Sequence, residues 1–323
     1  MEKITVGTYL RQYPFYGWLP EWQRAYTAGV IDADGSITIV REASERYRTP
    51  QFYARVSIVM TTREPIASIC EWFGFSFRQE KRTGHWRFAV SGPRAIALIA
   101  AIEPFLLLKQ PHAAIAKEVN LLLPREYGGR IKEKALVARL EQLTTQIREL
   151  NARGSEAPSS ALIGPQNQNG RRRYHGCSPY YGYLTAAQKA YLAGYIDSEG
   201  CITAHTYKHQ NGRTPNRIVV LSFTAVTVEP LRTIARWLDV PFFVAGKVYG
   251  NSRRHVRLLV KGPRAAGILA AVRGSLLLKA KQADLLIEFN QITPRQGCRV
   301  RPQYIVDRQG AICSELHALN SPD

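Results

Sequence analysis

Two segments of this chain repeat each other almost residue for residue, AYTAGVIDADGSIT from Ala25 to Thr38 and AYLAGYIDSEGCIT from Ala190 to Thr203. Two copies of one sequence fold the same way twice and bring like residues to like places about a pseudo-twofold axis. In the first copy Ala28, Gly29 and Ala33 are small enough for another helix to approach closely, while Val30 and Ile31 can be buried. Gly35 is expected to end the helix in the left-handed conformation, and the β-branched run Ile37-Thr38-Ile39-Val40 reads as a strand. Asp34, and Glu199 in the second copy, therefore fall at helix C-termini beside a strand, and packing the helices side by side would set them opposite each other. The helix macrodipole and mutual repulsion both oppose two carboxylates there, and a divalent cation offsets both. Magnesium, with water and phosphate oxygens as further ligands, suits such a donor set. Asp32 and Asp197 are repeated too and read as structural caps or supporting groups.

A second block is also duplicated: VSGPRAIALIAAIEPFLLLKQ from Val90 to Gln110 returns as VKGPRAAGILAAVRGSLLLKA from Val260 to Ala280. The second-last residue of each copy is basic and follows a hydrophobic helix turn, Lys109 and Lys279. Glu199 follows Asp34 by 165 positions and Lys279 follows Lys109 by 170, so the second repeat carries about five more residues, expected in its strands. The formal net charge is +19, from 44 basic and 25 acidic residues in 323. That excess points to a polyanion, because each phosphate neutralised by Lys or Arg releases counterions. A basic membrane-surface or ribosome-associated protein would share the charge. No apolar stretch reaches the length of a membrane span and no signal-peptide pattern opens the chain, so the expectation is a cytoplasmic or organellar protein that is not secreted. Cys70, Cys177, Cys201, Cys298 and Cys313 are odd in number and form no CxxC pair. They read as reduced thiols, with His175 near Cys177 the only hint of a metal site.

These residues resemble the LAGLIDADG homing endonucleases of the single-chain type with two motif copies. The resemblance implies an α+β fold of two pseudo-symmetric αββαββα repeats that form an antiparallel β-sheet saddle over DNA, with the two motif helices at the interface. It implies a monomeric, site-specific DNA endonuclease that makes a double-strand break with 3′ overhangs in a long asymmetric target by metal-dependent phosphodiester hydrolysis. The cofactors implied are two or three divalent ions, Mg2+ first, with Mn2+ or Ca2+ able to replace it in binding. Asp34 and Glu199 would bind the metals, the backbone carbonyls of Ala33 and Ser198 would be further ligands, and Lys109 and Lys279 would position the attacking waters. The expected partner is a double-stranded DNA target, with no membrane and no protein partner required. Thr27 and Val30 depart from the leucines of the family motif, and Glu199 stands where the family more often has aspartate. A water-positioning residue is expected near the end of the second strand, at Thr61, Thr62 or Thr227.

Along the chain the reading is an N-terminal extension over roughly 1–20, a first repeat over 21–123, a linker with an amphipathic helix and a basic segment over 124–183, a second repeat over 184–290 and a tail over 291–323. The extension and the tail are read as having no repeat partner. Leu136, Leu140, Leu143, Ile147 and Leu150 recur at helical spacing in the linker, and the basic run at 171–173 follows. Within the repeats, Gln51 to Ser57 alternates polar and apolar, as do 85–90 and 255–260, the marks of half-buried strands. Short helices are expected at Glu64 to Gly74 and Glu229 to Leu238. Each half then reads helix, two strands, helix, two strands, helices, an α+β unit with an antiparallel sheet open on one face. The candidate DNA contacts are Thr38, Glu42, Arg46, Arg48, Gln51, Tyr53, Arg55, Arg78, His85 and Arg87, and in the second half Thr203, His205, Tyr207, Arg213, Lys247, Arg253, His255 and Arg257. Arg and Gln can form bidentate contacts with guanine and adenine edges, although phosphate contacts use the same residues.

The competing readings are a group I intron RNA maturase or a non-cleaving DNA-binding regulator of the same fold. Loss of the acids would mark either, and both acids and both lysines are present. An intein is not supported, since a terminal His-Asn pair and an initial nucleophile are both lacking.

Overall fold

The computed structural model describes residues 16–44, 47–123, 134–153, 181–207, 216–225, 227–240, 242–244, 256–293 and 302–321. Arg46, Arg213, Lys247, Arg253 and His255, the basic run at 171–173, and His175, Cys177 and Cys298 lie outside these residues, as does the side chain of Arg48. The chain divides into two compact units, Met1–Ser155 and Glu156–Asp323.

The first unit opens with a short 3-10 turn, Tyr16–Trp18, and then helix α1, Glu21–Asp34. Strands β1 (Gly35–Ser44) and β2 (Tyr47–Met60), helix α2 (Glu64–Phe73), strands β3 (Phe77–Gln79) and β4 (Trp86–Ser91), and helices α3 (Pro93–Ile102), α4 (Gln110–Leu122) and α5 (Lys134–Arg153) follow. The second unit repeats this order with α6 (Ala186–Glu199), β5 (Gly200–Tyr207), β6 (Asn216–Ala225), α7 (Leu231–Leu238), β7 (Phe242–Val244), β8 (Val256–Lys261), α8 (Pro263–Val272), α9 (Ala280–Ile292) and α10 (Gln303–Asn320). Each unit holds one antiparallel sheet, ordered β1-β2-β4-β3 in the first and β5-β6-β8-β7 in the second. The expected sequence of elements is therefore present in both. The second short helix starts at Leu231 rather than Glu229, with Pro230 just before its first turn, a place where the missing N–H costs nothing.

The alternation read from the sequence sets the two faces of each sheet. Phe52, Ala54, Val56, Ile58 and Met60 of β2 are buried beneath the helices with Ile37 and Ile39 of β1, while Gln51 and Val59 are exposed on the other face. The second unit buries Ile202, Val219, Leu221, Phe223, Val256, Leu258 and Val260. One aromatic contact is also duplicated. The ring of Tyr26 meets Trp72 edge-on at 5.7 Å, and that of Tyr191 meets Trp237 edge-on at the same distance.

Three expectations change. Gly35 and Gly200 are extended rather than left-handed, with φ of −81° and −75°. Glycine is required there for space, because a Cβ on Gly35 would lie 2.7 Å from the Ile31 Cα and one on Gly200 would lie 2.7 Å from the Ile196 carbonyl oxygen. Each helix thus turns directly into its strand, with the glycine N–H still bonded to the carbonyl of Ile31 or Ile196.

Secondly, the tail does have a repeat partner. α5 packs on α4 and β1, and α10 packs on α9 and β5. Leu140, Leu143 and Ile147 are buried in the first, as Gln309, Ile312 and Leu316 are in the second. Arg139 pairs with Glu118 as Arg308 pairs with Glu288, and Asn151 and Asn320 donate to the carbonyls of Ile37 and Ile202. Thirdly, the extension has a partner in its last residues, since Leu19 donates to the Tyr16 carbonyl as Leu184 does to that of Tyr181. The additional five residues of the second repeat fall in its last hairpin. The connection runs 80–85 between β3 and β4 and 245–255 between β7 and β8.

Gly35→Ala and Gly200→Ala are each expected to cost about 1–3 kcal/mol, because the new methyl meets helix backbone that can move only with the helix. Urea denaturation of each variant checks this, and an unchanged midpoint would remove the steric account.

Candidate active site

The acids stand at the ends of the duplicated helices. Asp34 is the last residue of α1 and exposed, Glu199 is the last residue of α6 and half-buried, and Ala33 and Ser198 precede them. What holds these tips is the aspartate two residues earlier. The Asp32 carboxylate accepts the backbone N–H groups of Leu107, Leu108 and Lys109 at 2.6, 3.1 and 2.9 Å. These amides lead into the N-terminus of α4, where the helix dipole favours an anion. The Lys109 ammonium donates in return to the Asp32 carbonyl at 2.7 Å, at the C-terminus of α1, where the dipole favours a cation. Each helix end thus receives the charge that stabilises it, and the chain segment 107–109 is joined to the tip carrying Asp34.

The second unit builds the same clamp. Asp197 accepts from the amides of Leu277 and Lys279 at 2.8 and 2.9 Å. The Lys279 ammonium donates to the carbonyls of Ile196 and Asp197, each at 2.8 Å, and to that of Ser198 at 3.4 Å. Neither lysine is a surface group, and Lys109 is only 7% exposed. Asp32 and Asp197, read from the sequence as caps or supporting groups, cap α4 and the start of α9 across more than 70 residues of chain.

For a metal the fit is to hard oxygen ligands. Each tip offers one carboxylate and the carbonyls of a helix C-terminus, and no group of three or more His, Cys, Asp or Glu side chains gathers among the described residues. That set suits magnesium, which keeps several waters and takes one or two carboxylates together with phosphate oxygens, and does not suit a closed protein cage. The Ser198 carbonyl already receives a long hydrogen bond from Lys279. Thr61 and Thr62 follow β2 at the end where Ile58 pairs with Gly35, hence at the tip end of the sheet, and Thr227 follows β6 similarly.

The candidate DNA contacts that are described lie on the sheet face turned away from the helices. In the first unit these are Thr38, Glu42, Gln51, Tyr53, Arg55, Arg78 and Arg87, with His85 in the connection between β3 and β4, and in the second Thr203, His205, Tyr207 and Arg257. Arg78 and Arg87 pair directly across β3 and β4. Glu80 relieves that repulsion, for it accepts from Arg87 at 2.8 Å, and this hydrogen bond holds its carboxyl below the usual range. Sequence reading placed Ser57 on this face but missed Ser36 and Ser91, although their alternation with buried residues was available. Ser36 and Ser57 share a hydrogen bond of 2.9 Å beside the tip.

His112, one turn into α4, is buried, and Gln282 holds the corresponding place in α9. Burial foremost, then the nearby Lys109 ammonium, pushes its pKa below the ordinary 6.5, against a hydrogen bond with Asn151 and the charge of Asp32.

No family model matches the chain, and no curated protein matches it. Solved structures do. The fold, two pseudo-repeated units, is that of the LAGLIDADG homing endonucleases. The structure of I-SmaMI bound to cleaved DNA is similar with a TM-score of 0.59 at 14% identity, covering 95% of this chain and 97% of that one. I-AabMI bound to uncleaved DNA is similar with a TM-score of 0.61 at 12% identity, covering 92% and 98%. I-SmaMI bound to an uncleaved target with calcium ions gives 0.58 at 15% identity, covering 93% and 97%.

Asp32→Ala is expected to destabilise the first unit by at least about 3 kcal/mol, since three amides lose a charged acceptor. Hydrogen exchange at Leu107–Lys109 should accelerate far more than exchange in β2, and equal acceleration would argue against a local clamp. His112 supplies a pH test. Its folded-state pKa is lowered, so below pH 6.5 the unfolded chain takes up a proton that the folded protein refuses. Stability present above that pH is therefore lost as pH falls, by up to about 1.4 kcal/mol per pH unit. His112→Gln should flatten this part of the profile in denaturation titrations from pH 7.5 to 5.5.

Proposed function

We propose that this protein is a site-specific endonuclease that binds a long asymmetric double-stranded DNA target as a monomer and cuts both strands by metal-dependent phosphodiester hydrolysis, leaving 3′ overhangs. The observation that carries the reading is the acid-bearing helix tip, built twice with the same aspartate and lysine clamp. It occurs in a chain whose fold is similar along nearly its whole length to endonucleases solved with DNA. The formal charge of +19 and the open face of the first sheet suit a polyanionic duplex.

In this reading Asp34 and Glu199 hold divalent ions, Mg2+ in the cell, with the carbonyls of Ala33 and Ser198 as further oxygen ligands. Bound there, such ions supply a nucleophilic water and offset the charge of the phosphate and its leaving oxygen. The lysines act through the helix ends. By donating to the carbonyls of Asp32, Ile196 and Asp197, Lys109 and Lys279 keep the backbone of each tip rigid, and their positive charge favours a phosphate nearby. One acid serves each strand. The cations of the sheet faces hold the duplex across the tips, and unlike residues in the two halves call for an asymmetric target. A maturase or a non-cleaving regulator would not need both acids and both lysines, which this chain retains.

The test begins with a duplex selected from a randomised pool and uses a supercoiled plasmid that carries it. Asp34→Asn and Glu199→Gln should each abolish the double-strand break in Mg2+ while keeping DNA affinity within about tenfold, a loss of less than 1.4 kcal/mol. Sequencing of wild-type ends should read 3′ extensions. Binding should weaken steeply with salt, with a slope of roughly −0.9 per phosphate neutralised. A variant that still cuts both strands would remove its acid from the mechanism.

A further inference from the structure

One polar network lies in the middle of the first sheet and has no counterpart in the second. Arg55 sits on β2, a strand paired on both sides, with Thr38 across on β1 and Ser91 across on β4. Its Nε donates to the Ser91 Oγ at 3.1 Å and its Nη2 to the Tyr53 hydroxyl at 3.3 Å. The guanidinium carbon also lies 5.7 Å from the centre of the Tyr53 ring. Tyr53 in turn donates its hydroxyl proton to Glu42 on β1, at 3.1 Å. Three strands thus fix one guanidinium on the open face, and Nη1 makes no hydrogen bond among the described residues.

At the corresponding positions of the second sheet stand Tyr207 for Glu42, Ile218 for Tyr53, Val220 for Arg55 and Lys261 for Ser91. The register is the same in both, since Arg55 faces Ser91 as Val220 faces Lys261. The network is therefore a property of one half alone.

Resting on the endonuclease reading, we propose that Arg55 reads a guanine in the major groove of the half-site bound by the first unit, that Tyr53, Ser91 and Glu42 position it, and that the other half-site has no equivalent guanine. Arginine recognises guanine by two hydrogen bonds to O6 and N7, and a β ribbon can enter the major groove. A free arginine gives up about 2 kcal/mol of rotamer entropy when held, and one already tethered by Ser91 and Tyr53 gives up less. Placement separates bases from phosphates: Arg55 lies on an interior strand rather than at a sheet edge, and the adjacent Glu42 carboxylate would repel a phosphate. A carboxylate suits a G·C pair, whose cytosine presents an amino donor beside the guanine acceptors.

The experiment selects binding sites from a randomised duplex pool with the full-length wild type, Arg55→Ala and Tyr53→Phe, using Ca2+ in place of Mg2+. Wild type should enrich sites with a strongly preferred guanine at one position of one half and no guanine preference at the equivalent position of the other. Arg55→Ala should lose that preference by about 10- to 100-fold while the rest of the motif persists. Tyr53→Phe should keep the same base with weaker discrimination. If Arg55→Ala enriches the unchanged motif and merely weakens all sites alike, with a salt slope smaller by about one, Arg55 is a phosphate contact and the inference is overturned. A wild-type pool without any enriched sequence would overturn the endonuclease reading itself.

Discussion

The crossed clamp between Asp32 and Lys109, and its copy between Asp197 and Lys279, is the interaction on which the candidate site depends. A carboxylate placed at the start of one helix and an ammonium at the end of another each meet the dipole that favours them. Because the two come from segments joined side chain to backbone in both directions, neither helix can shift without breaking bonds in the other. An exposed acid at a helix C-terminus is electrostatically awkward. The lysine beneath it lowers that cost and also holds the carbonyls that define the tip.

Around this clamp the unit is arranged to leave one sheet face open. Helices α1 to α5 cover the other face, and the terminal helix α5, like α10 in the second unit, is tied to the strand that follows the acid by an asparagine donating to Ile37 or Ile202. The glycine between helix and strand serves the same end. With no Cβ, Gly35 and Gly200 let the strand begin against the last helical turn, so the acid sits within a residue of the sheet. The site is therefore rigid from both sides, through the clamp and through the strand.

The two units share this scaffold and differ in what they carry. Glu199 is longer than Asp34 by one methylene, and Lys279 donates to the carbonyls of Ile196, Asp197 and Ser198 where Lys109 donates to that of Asp32. The first sheet carries the Arg55 network and the second has Val220 in its place. The two tips are built alike, and the sheet faces differ.

Much of this was legible in the residues. The motif copies located Asp34, Glu199, Lys109 and Lys279, and the alternation in Gln51–Ser57 placed Tyr53 and Arg55 on the open face, because helical and strand periods are local properties of the chain. The last helix was legible too, though faint. Val137, Arg139 and Asn151 recur as Val306, Arg308 and Asn320 at one constant offset, few identities among many changes because buried positions demand only apolar volume. Other facts were decided by tertiary structure alone. That Gly35 is needed for space and not for a left-handed turn depends on how the strand leaves the helix. That Asp32 caps amides at 107–109, and that Arg55 finds Ser91, depends on segments far apart in sequence coming into register. Short-range pattern dictates which face a residue occupies, but its partner is settled only when the whole unit packs.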